Sequence, residues 1–261
     1  MEFEYLQCST DDGISHIRMD KPETMNALDR GFLNELDSAF SKFSKDDNTA
    51  VIILSSKHRK YFISGGDIKY ISSFPDAVGA RDEINHIQDL FNMIEDLKKP
   101  VITAISGICL GGGCELAMSS HIRIAADNAK FGQPEIRIGL IPGAGGTRRL
   151  PRLIGKSIAT EMILTGDIID AQQALRIGLV NYVVPGDSLI TTAEDIAKRI
   201  ISNAPLAIRY ALEAINRNGV GNLKDGLNME RAFFALLCTT SDMREGVKAF
   251  KEKRRPIFIG E

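Results

Sequence analysis

The chain is poor in the residues that commonly build metal or redox centres. Its 261 residues include four cysteines, four histidines and no tryptophan. The cysteines (Cys8, Cys109, Cys114 and Cys238) match no zinc or redox spacing, and the histidines (His16, His58, His86 and His121) form no H-x-x-x-H pattern. We therefore expect no metal site. Cys109 and Cys114 could be reactive because they flank a glycine run, but buried, reduced thiols are the simpler interpretation.

The chain also lacks a large net charge and long apolar runs. Its 32 basic and 34 acidic side chains leave a net charge of −2, without the basic footprint typical of nucleic-acid binding. No apolar run approaches the ~20 residues that a membrane-spanning helix needs. The opening "MEFEYLQCSTDDG" has neither the basic nor the apolar region of a signal peptide. We expect a cytoplasmic protein without nucleic-acid or membrane partners, although a mature organellar chain without its transit peptide would have the same features.

Strand and helix patterns alternate along the first 150 residues. The segments "GISHIRMD", "VIILSS", "VITAISG" and "HIRIAAD" read as strands. Between them, apolar residues recur at helical spacing from Phe32 to Phe43 and from Ile84 to Leu97. From Lys156 to Lys253 the pattern is almost wholly helical. We predict an α/β fold with sheets covered by helices, with the core in residues 1–195 and a helical C-terminal region in residues 196–261.

Three glycine-rich stretches stand out: "FISGGDIKYI" (Phe62–Ile71), "CLGGGCELA" (Cys109–Ala117) and "LIPGAGGTRRL" (Leu140–Leu150). None completes a nucleotide-binding G-x-G-x-x-G or Walker A motif, and the chain has no G-x-S-x-G nucleophile elbow. Turns at Gly65–Gly66 and Gly111–Gly113 could instead bring two backbone N–H groups to one oxygen. Such an oxyanion hole stabilises charge that develops on a carbonyl oxygen. The same glycines could also simply form tight turns.

Two carboxylates accompany these turns. Glu115 follows the glycine run directly, and Glu135 lies in the otherwise apolar "FGQPEIRIG". A pair of carboxylates beside an oxyanion hole suits acid–base chemistry on the carbons next to a carbonyl group. An equally weighted alternative is that each glutamate pairs with an arginine; four are available (Arg123, Arg137, Arg148 and Arg149).

Three segments together resemble the enoyl-CoA hydratase/isomerase (crotonase) family: "FISGGDIK", "GICLGGGCELAMSS" and "FGQPEIRIGLIPGAGGTRRLPRLIG". The likeness extends from "NAL" (Asn26–Leu28) to the C-terminal "SDMREGVKAFKEKRRPIF", with the motifs in the expected order. The resemblance implies a crotonase-like spiral of ββα turns with a helical C-terminal oligomerisation region. It also implies a homotrimer or a homohexamer built as a dimer of trimers.

The resemblance also implies the chemistry. The backbone N–H groups of Gly66 and Gly112 would bind the thioester oxygen of an acyl-CoA. Glu115 and Glu135 would hold a water molecule that adds to a trans-2-enoyl-CoA and gives a 3-hydroxyacyl-CoA. In this scheme Glu135 supplies the proton at C2, and Glu115 orients the water that attacks C3. No cofactor is implied, because CoA is part of the substrate.

Further contacts to the substrate are implied at named positions. They are Ala27, Gly66, Asp67, Ile68, Lys69 and Gly112 in the same subunit, with Phe250 and Lys253 reaching the CoA of a neighbouring subunit. Lys69 also reads as an ordinary solvated side chain, and "KEKRR" (Lys251–Arg255) as the solvated face of a helix.

Other activities fit parts of the same pattern. A Δ3–Δ2 enoyl-CoA isomerase of this family usually keeps one of the two glutamates, so the presence of both disfavours it as the main activity. Hydratases for branched acyl groups, such as 3-methylglutaconyl-CoA, share the same pair. An RNA-binding or scaffold member with incidental catalysis is a different class of protein. The charge balance argues against RNA, and the intact pair argues against a scaffold.

Overall fold

The computed structural model describes residues 3–217 and 222–261, and it confirms the predicted alternation of strands and helices. The strands are β1 (Leu6–Asp11), β2 (Ile14–Met19), β3 (Val51–Ser56), β4 (Tyr61–Ile63), β5 (Val101–Ile105), β6 (Ile108–Leu110), β7 (Ile122–Ala126), β8 (Lys130–Gly132), β9 (Ile168–Asp170) and β10 (Tyr182–Val184). The helices are α1 (Arg30–Lys45), α2 (Ile68–Ser72), α3 (Ala77–Glu95), α4 (Gly112–Ser119), α5 (Gly146–Ile154), α6 (Lys156–Thr165), α7 (Ala171–Arg176), α8 (Leu189–Ile201), α9 (Pro205–Asn216), α10 (Leu223–Leu237) and α11 (Ser241–Glu252).

The described strands form two sheets that the chain visits in turn. The larger sheet has the order β1-β2-β3-β5-β7-β10, and the smaller has the order β4-β6-β8-β9. β3, β5 and β7 are parallel neighbours in the larger sheet, and the strand after each of them lies in the smaller sheet. Each pair of strands is followed by helical structure. This path is the expected spiral of ββα turns.

The apolar spacing of α1 explains how the first helix packs. Asp29 begins the helix by accepting a hydrogen bond from the Phe32 amide at 2.9 Å. Phe32, Leu36 and Phe40 are completely buried, as their helical spacing predicts. The strand β3 is buried almost throughout, because helices cover both faces of a parallel sheet.

The region from Lys156 to Lys253 contains two strands that its helical pattern did not reveal. β9 pairs antiparallel with β8, and β10 pairs parallel with β7. Each has three residues, too few to show a period, so pairing with the existing sheets decides their conformation.

The predicted division between residues 195 and 196 falls inside α8. Ile196 and Ala197 of this helix pack together with buried residues from strands of the larger sheet. The division into two regions remains a prediction. Beyond α8, the chain is helical through α9, α10 and α11. None of the helices in the described ranges is both long enough and apolar enough to cross a membrane.

Candidate active site

Two backbone turns meet where β4 and β6 end. Because these strands are parallel neighbours, the turns that follow them, Gly65–Gly66 and Gly111–Gly113, lie at the same edge of the smaller sheet. A Cβ atom added to Gly112 would lie 3.8 Å from the amide nitrogen of Gly66. The structure therefore brings together the two amides that the sequence singled out.

The amides of Gly66 and Gly112 are free of hydrogen bonds to the described part of the chain. Leu28 forms hydrogen bonds with the residues on either side of Gly66. Its N–H donates to the Gly65 carbonyl, and its carbonyl accepts from the Asp67 amide, both at 2.9 Å. In this parallel bridge the N–H of Gly66 points away from Leu28. Gly112 is the first residue of α4, where helical amides have no partner within the helix. Both groups can donate to a ligand oxygen.

Gly111 shows why this turn needs glycine. Its φ is +50° and its ψ is −124°, a conformation that residues with a Cβ rarely adopt. A Cβ atom there would also lie 2.9 Å from Oε1 of Glu135. The turn is fixed by a hydrogen bond from the Gly111 amide to the Gly132 carbonyl at 3.0 Å. Bare backbone at this position allows the Glu135 carboxyl group to approach the Gly111–Gly113 turn.

Glu115 lies in the first turn of α4 and is 2 % exposed. Its Oε1 accepts a hydrogen bond of 2.7 Å from the amide of Gly146, the first residue of α5. A Cβ atom on Gly146 would lie 3.0 Å from this oxygen and would collide with Oε1 of Gln133. The third glycine-rich stretch therefore serves the site by letting bare backbone approach Glu115.

Both glutamates are harder to ionise than ordinary carboxyl groups. Burial raises the pKa of Glu115 to about 7, and the negative charge of Glu135 adds to the rise, while the Gly146 amide opposes it. Burial also raises the pKa of Glu135. At neutral pH the pair can therefore hold a proton, as a site that both accepts and donates protons requires.

Two buried acceptor atoms beside Gly111 have no hydrogen-bond partner among the described residues: Oε1 of Gln133 and Oε2 of Glu135. Gln133 is completely buried, and its Nε2 donates to the Gly111 carbonyl at 3.1 Å. Buried acceptors normally find a donor, so these atoms suit a ligand or water that donates hydrogen bonds. Gln133 is not among the predicted site residues, because a lone glutamine before Pro134 is typical of a polar loop.

The four arginines considered as partners of Glu115 and Glu135 form other contacts in the structure. Arg149 and Arg137 pair with other carboxylates, Glu95 and Asp167. Arg123 donates to backbone carbonyls, and Arg148 is exposed. In the described ranges, neither Glu115 nor Glu135 forms a salt bridge.

The remaining predicted substrate contacts lie in two places, around the Gly65–Gly66 turn and at the end of α11. Ala27 is buried and precedes Leu28, which bridges to the Gly66 turn. Asp67 caps α2: its Oδ1 accepts from the amides of Lys69 and Tyr70 at 2.7 and 3.0 Å. Ile68 and Lys69 are exposed beside the Gly65–Gly66 turn.

Phe250 lies on α11 and is 86 % exposed, and Lys253 ends that helix. Their expected contact is with another subunit, so it remains a prediction.

Groups of acidic, histidine and cysteine side chains that could hold a metal are absent from the part of the chain that the structure describes. The four cysteines are free. Cys109 and Cys114 are completely buried, and burial raises the pKa of the Cys109 thiol. This environment favours the simpler interpretation, because reactive thiols need an accessible thiolate.

This combination of a ββα spiral, two free amides and two buried carboxyl groups agrees with comparisons to known proteins. The family model described as enoyl-CoA hydratase/isomerase matches residues 9–261. A crotonyl-CoA hydratase of Syntrophomonas wolfei is 39% identical over 261 residues, which cover 100% of both chains. A short-chain-enoyl-CoA hydratase of Clostridium acetobutylicum is 39% identical, over 98% of this chain and 97% of the relative. The crystal structure of an enoyl-CoA hydratase from Bacillus anthracis superposes with a TM-score of 0.94 at 39% identity, covering 99% of this chain and 100% of that one.

The chain therefore belongs to the enoyl-CoA hydratase/isomerase family, and its fold is the crotonase fold.

Proposed function

We propose that the protein hydrates trans-2-enoyl-CoA thioesters to 3-hydroxyacyl-CoA thioesters, reversibly, in chemistry of the fatty-acid β-oxidation type. The observation that carries the proposal is the arrangement of Glu115 and Glu135 around a turn whose neighbouring amides, Gly66 and Gly112, are free to donate. The names of the relatives, a crotonyl-CoA hydratase and a short-chain-enoyl-CoA hydratase, support the same substrate class.

The steps follow from the positions of these groups. The thioester oxygen accepts from the Gly66 and Gly112 amides, so the negative charge that develops there is stabilised by two donors and by the α4 dipole. Glu115 orients the water and takes up its proton as the oxygen bonds to C3. Glu135 delivers a proton to C2, and burial favours the protonated form of this carboxyl group by raising its pKa. One proton passes from the water to Glu115 and another from Glu135 to C2, so the transfer of a proton from Glu115 to Glu135 restores the site. The reverse reaction uses the same groups in opposite roles.

The activating group is the thioester of the substrate, so no separate cofactor takes part. Ala27 and the Gly66–Lys69 segment border the CoA moiety. We assign the protein to the cytoplasm, and we assign it a trimeric or hexameric assembly. Large apolar side chains left exposed on α10 and α11 support the assembly.

The direct test is to add the purified protein to crotonyl-CoA and follow the loss of the ultraviolet absorbance of the conjugated thioester. We expect rapid loss, with 3-hydroxybutyryl-CoA as the product. Parallel reactions with a 3-enoyl-CoA and with 3-methylglutaconyl-CoA measure isomerase and branched-chain hydratase activity. Faster turnover of either compound than of crotonyl-CoA would contradict the proposal.

A further inference from the structure

The turn that binds Glu115 is held in place by Arg149, on α5. Nη1 of Arg149 donates to the Ala144 carbonyl at 2.9 Å and packs against Gly145. The following amide, that of Gly146, donates to Oε1 of Glu115 at 2.7 Å. One guanidinium group therefore fixes the backbone within two residues of the amide that orients Glu115.

Arg149 is itself fixed by α3. Its Nε donates to Oε2 of Glu95, and its Nη2 donates to Oδ1 of Asn92, each at 2.7 Å. The side chain is 8% exposed, so these charge-assisted bonds are shielded from water. Gln88, also on α3, donates to the Gly143 carbonyl at 2.6 Å. The guanidinium fork of Arg149, which lies on α5, thus links α3 to the turn at Ala144–Gly146 through three different N–H donors.

Two charged residues near Glu115 shift its pKa in opposite directions. Glu135 raises its pKa, Arg149 lowers its pKa, and both effects are smaller than that of burial. Glu95, the ion-pair partner of Arg149, faces α5 rather than Glu115. The neighbouring residue on α4 is Cys114, a completely buried free thiol. Arg149 is therefore the cation that acts on Glu115 from the elements packed around it.

We propose that Arg149 is a positioning residue for the hydration step: it holds the turn at Ala144–Gly146 so that the Gly146 amide keeps Glu115 aimed at the reacting water. This inference rests on the proposed function, because it assigns Glu115 to the water. Arg149 donates its hydrogen bonds to other groups of the protein. It therefore acts on the reaction through Glu115. A lysine could supply the charge but not the three-way fork, because its ammonium group is a single point of contact.

The first experiment compares kcat and KM of Arg149→Met with those of the parent protein on crotonyl-CoA, between about pH 5 and about pH 9. We expect kcat to fall about ten- to a hundred-fold while KM changes less than about threefold, because the lost interaction orients a reacting group rather than the CoA. Arg149→Lys should recover only part of kcat. Arg148→Met is the matched control, since Arg148 is adjacent and exposed, and it should leave both constants unchanged.

The second experiment does not depend on turnover. Protein labelled with ¹³C at the glutamate carboxyl carbons is titrated by NMR, and the Glu115 signal is assigned by its loss in Glu115→Gln. We expect Arg149→Met to raise the Glu115 pKa, because both a nearby cation and a hydrogen bond to the ionised form are weakened. Arg149→Lys should raise it less.

An unchanged kcat together with an unchanged Glu115 pKa in Arg149→Met would overturn the proposal. So would a loss of kcat that simply matches the unfolded fraction seen by circular dichroism. If Arg149→Met does not fold, Asn92→Ala loosens the fork while keeping the Arg149–Glu95 pair. It should lower kcat about threefold and raise the Glu115 pKa, and no change in either would also overturn the proposal. If the parent protein fails to hydrate crotonyl-CoA, the proposed function fails, and the titration still decides whether Arg149 acts on Glu115.

Discussion

The Glu135 carboxyl group lies against Gly111 and that of Glu115 against Gly146, and each can be made neutral without changing its shape. We expect Glu115→Gln and Glu135→Gln each to lower kcat by about two to four orders of magnitude, because an amide cannot exchange a proton with the water or with C2. Binding of an unreactive acyl-CoA should weaken far less, since the Gly66 and Gly112 amides remain. Steady-state kinetics and calorimetric titration measure the two effects.

The control for this prediction is Glu161→Gln, which makes the same change at an exposed position on α6. It should leave kcat unchanged. Near-normal turnover in both Glu115→Gln and Glu135→Gln would show that the reaction does not pass through this pair.

Burial of Glu115 also has a consequence for stability. Its pKa is raised from 4.5 to about 7 in the folded protein. A carboxyl group of this kind stabilises the fold fully below its unfolded pKa, and the contribution is lost as the pH rises through the folded pKa. Glu115→Gln should therefore exceed the parent in free energy of unfolding by about 3 kcal/mol above pH 7, with the gain disappearing toward pH 4.5.

Urea denaturation of the parent and of Glu115→Gln at about pH 8 and about pH 5 measures this difference. The Glu161→Gln variant corrects for a general effect of removing one acidic charge. A stability difference that is the same at both pH values would contradict the raised pKa.

How much of the site the sequence predicts depends on the kind of group. The glycine turns and the two glutamates stand out because their residue types are unusual beside a buried helix. Gln133 does not stand out, since only its complete burial and its unpartnered oxygen draw attention to it. The sequence offers Arg149 only as one of four possible partners of Glu115 and Glu135. Its actual partner, Glu95, is 54 positions away along the chain, a pairing that no local pattern contains.

At the scale of secondary-structure elements, α2 begins inside the expected CoA-binding segment, Gly66–Lys69. It has five residues, and Asp67 caps it by accepting from the amides of Lys69 and Tyr70. We expect Asp67→Ala to cost about 1 kcal/mol of stability and to raise KM for crotonyl-CoA more than it lowers kcat, because fraying of α2 disturbs the binding segment. Thermal unfolding and steady-state kinetics report the two effects.

Asp67→Asn separates the cap from the charge, since asparagine is an equally good cap. If Asp67 acts through the cap, Asp67→Asn should behave like the parent protein. A raised KM in Asp67→Asn would mean that the carboxylate contacts the substrate directly.

Element length decides which parts of the fold the sequence predicts. α1 and α3 have 16 and 19 residues, long enough for the apolar spacing to repeat, and both were predicted. β9 and β10 have three residues each and were missed inside a helical pattern. Their partners, β8 and β7, lie far away in the chain, so the pairing that makes them strands is a property of the folded spiral.

At the scale of the whole molecule, apolar surface is distributed unevenly. α1 buries six residues in the core, whereas α9 and α10 have no buried residue. Phe234 and Leu223 on α10 are 71% and 80% exposed, and Phe250 on α11 is 86% exposed. Side chains of this size are rarely left in water over a continuous surface, so these helices have the composition of an interface.

We expect the protein to sediment as a trimer or a hexamer at micromolar concentration, and Phe234→Glu to shift it to monomers, because a charge buried in an apolar interface has no partner. Leu164→Glu is the control: Leu164 is 65% exposed on α6, so it receives the same charge outside the C-terminal helices and should leave the assembly intact. Analytical ultracentrifugation distinguishes the species. If Phe234→Glu sediments like the parent while Leu164→Glu dissociates, the interface lies on the α/β core, and the apolar face of α10 must be covered in some other way.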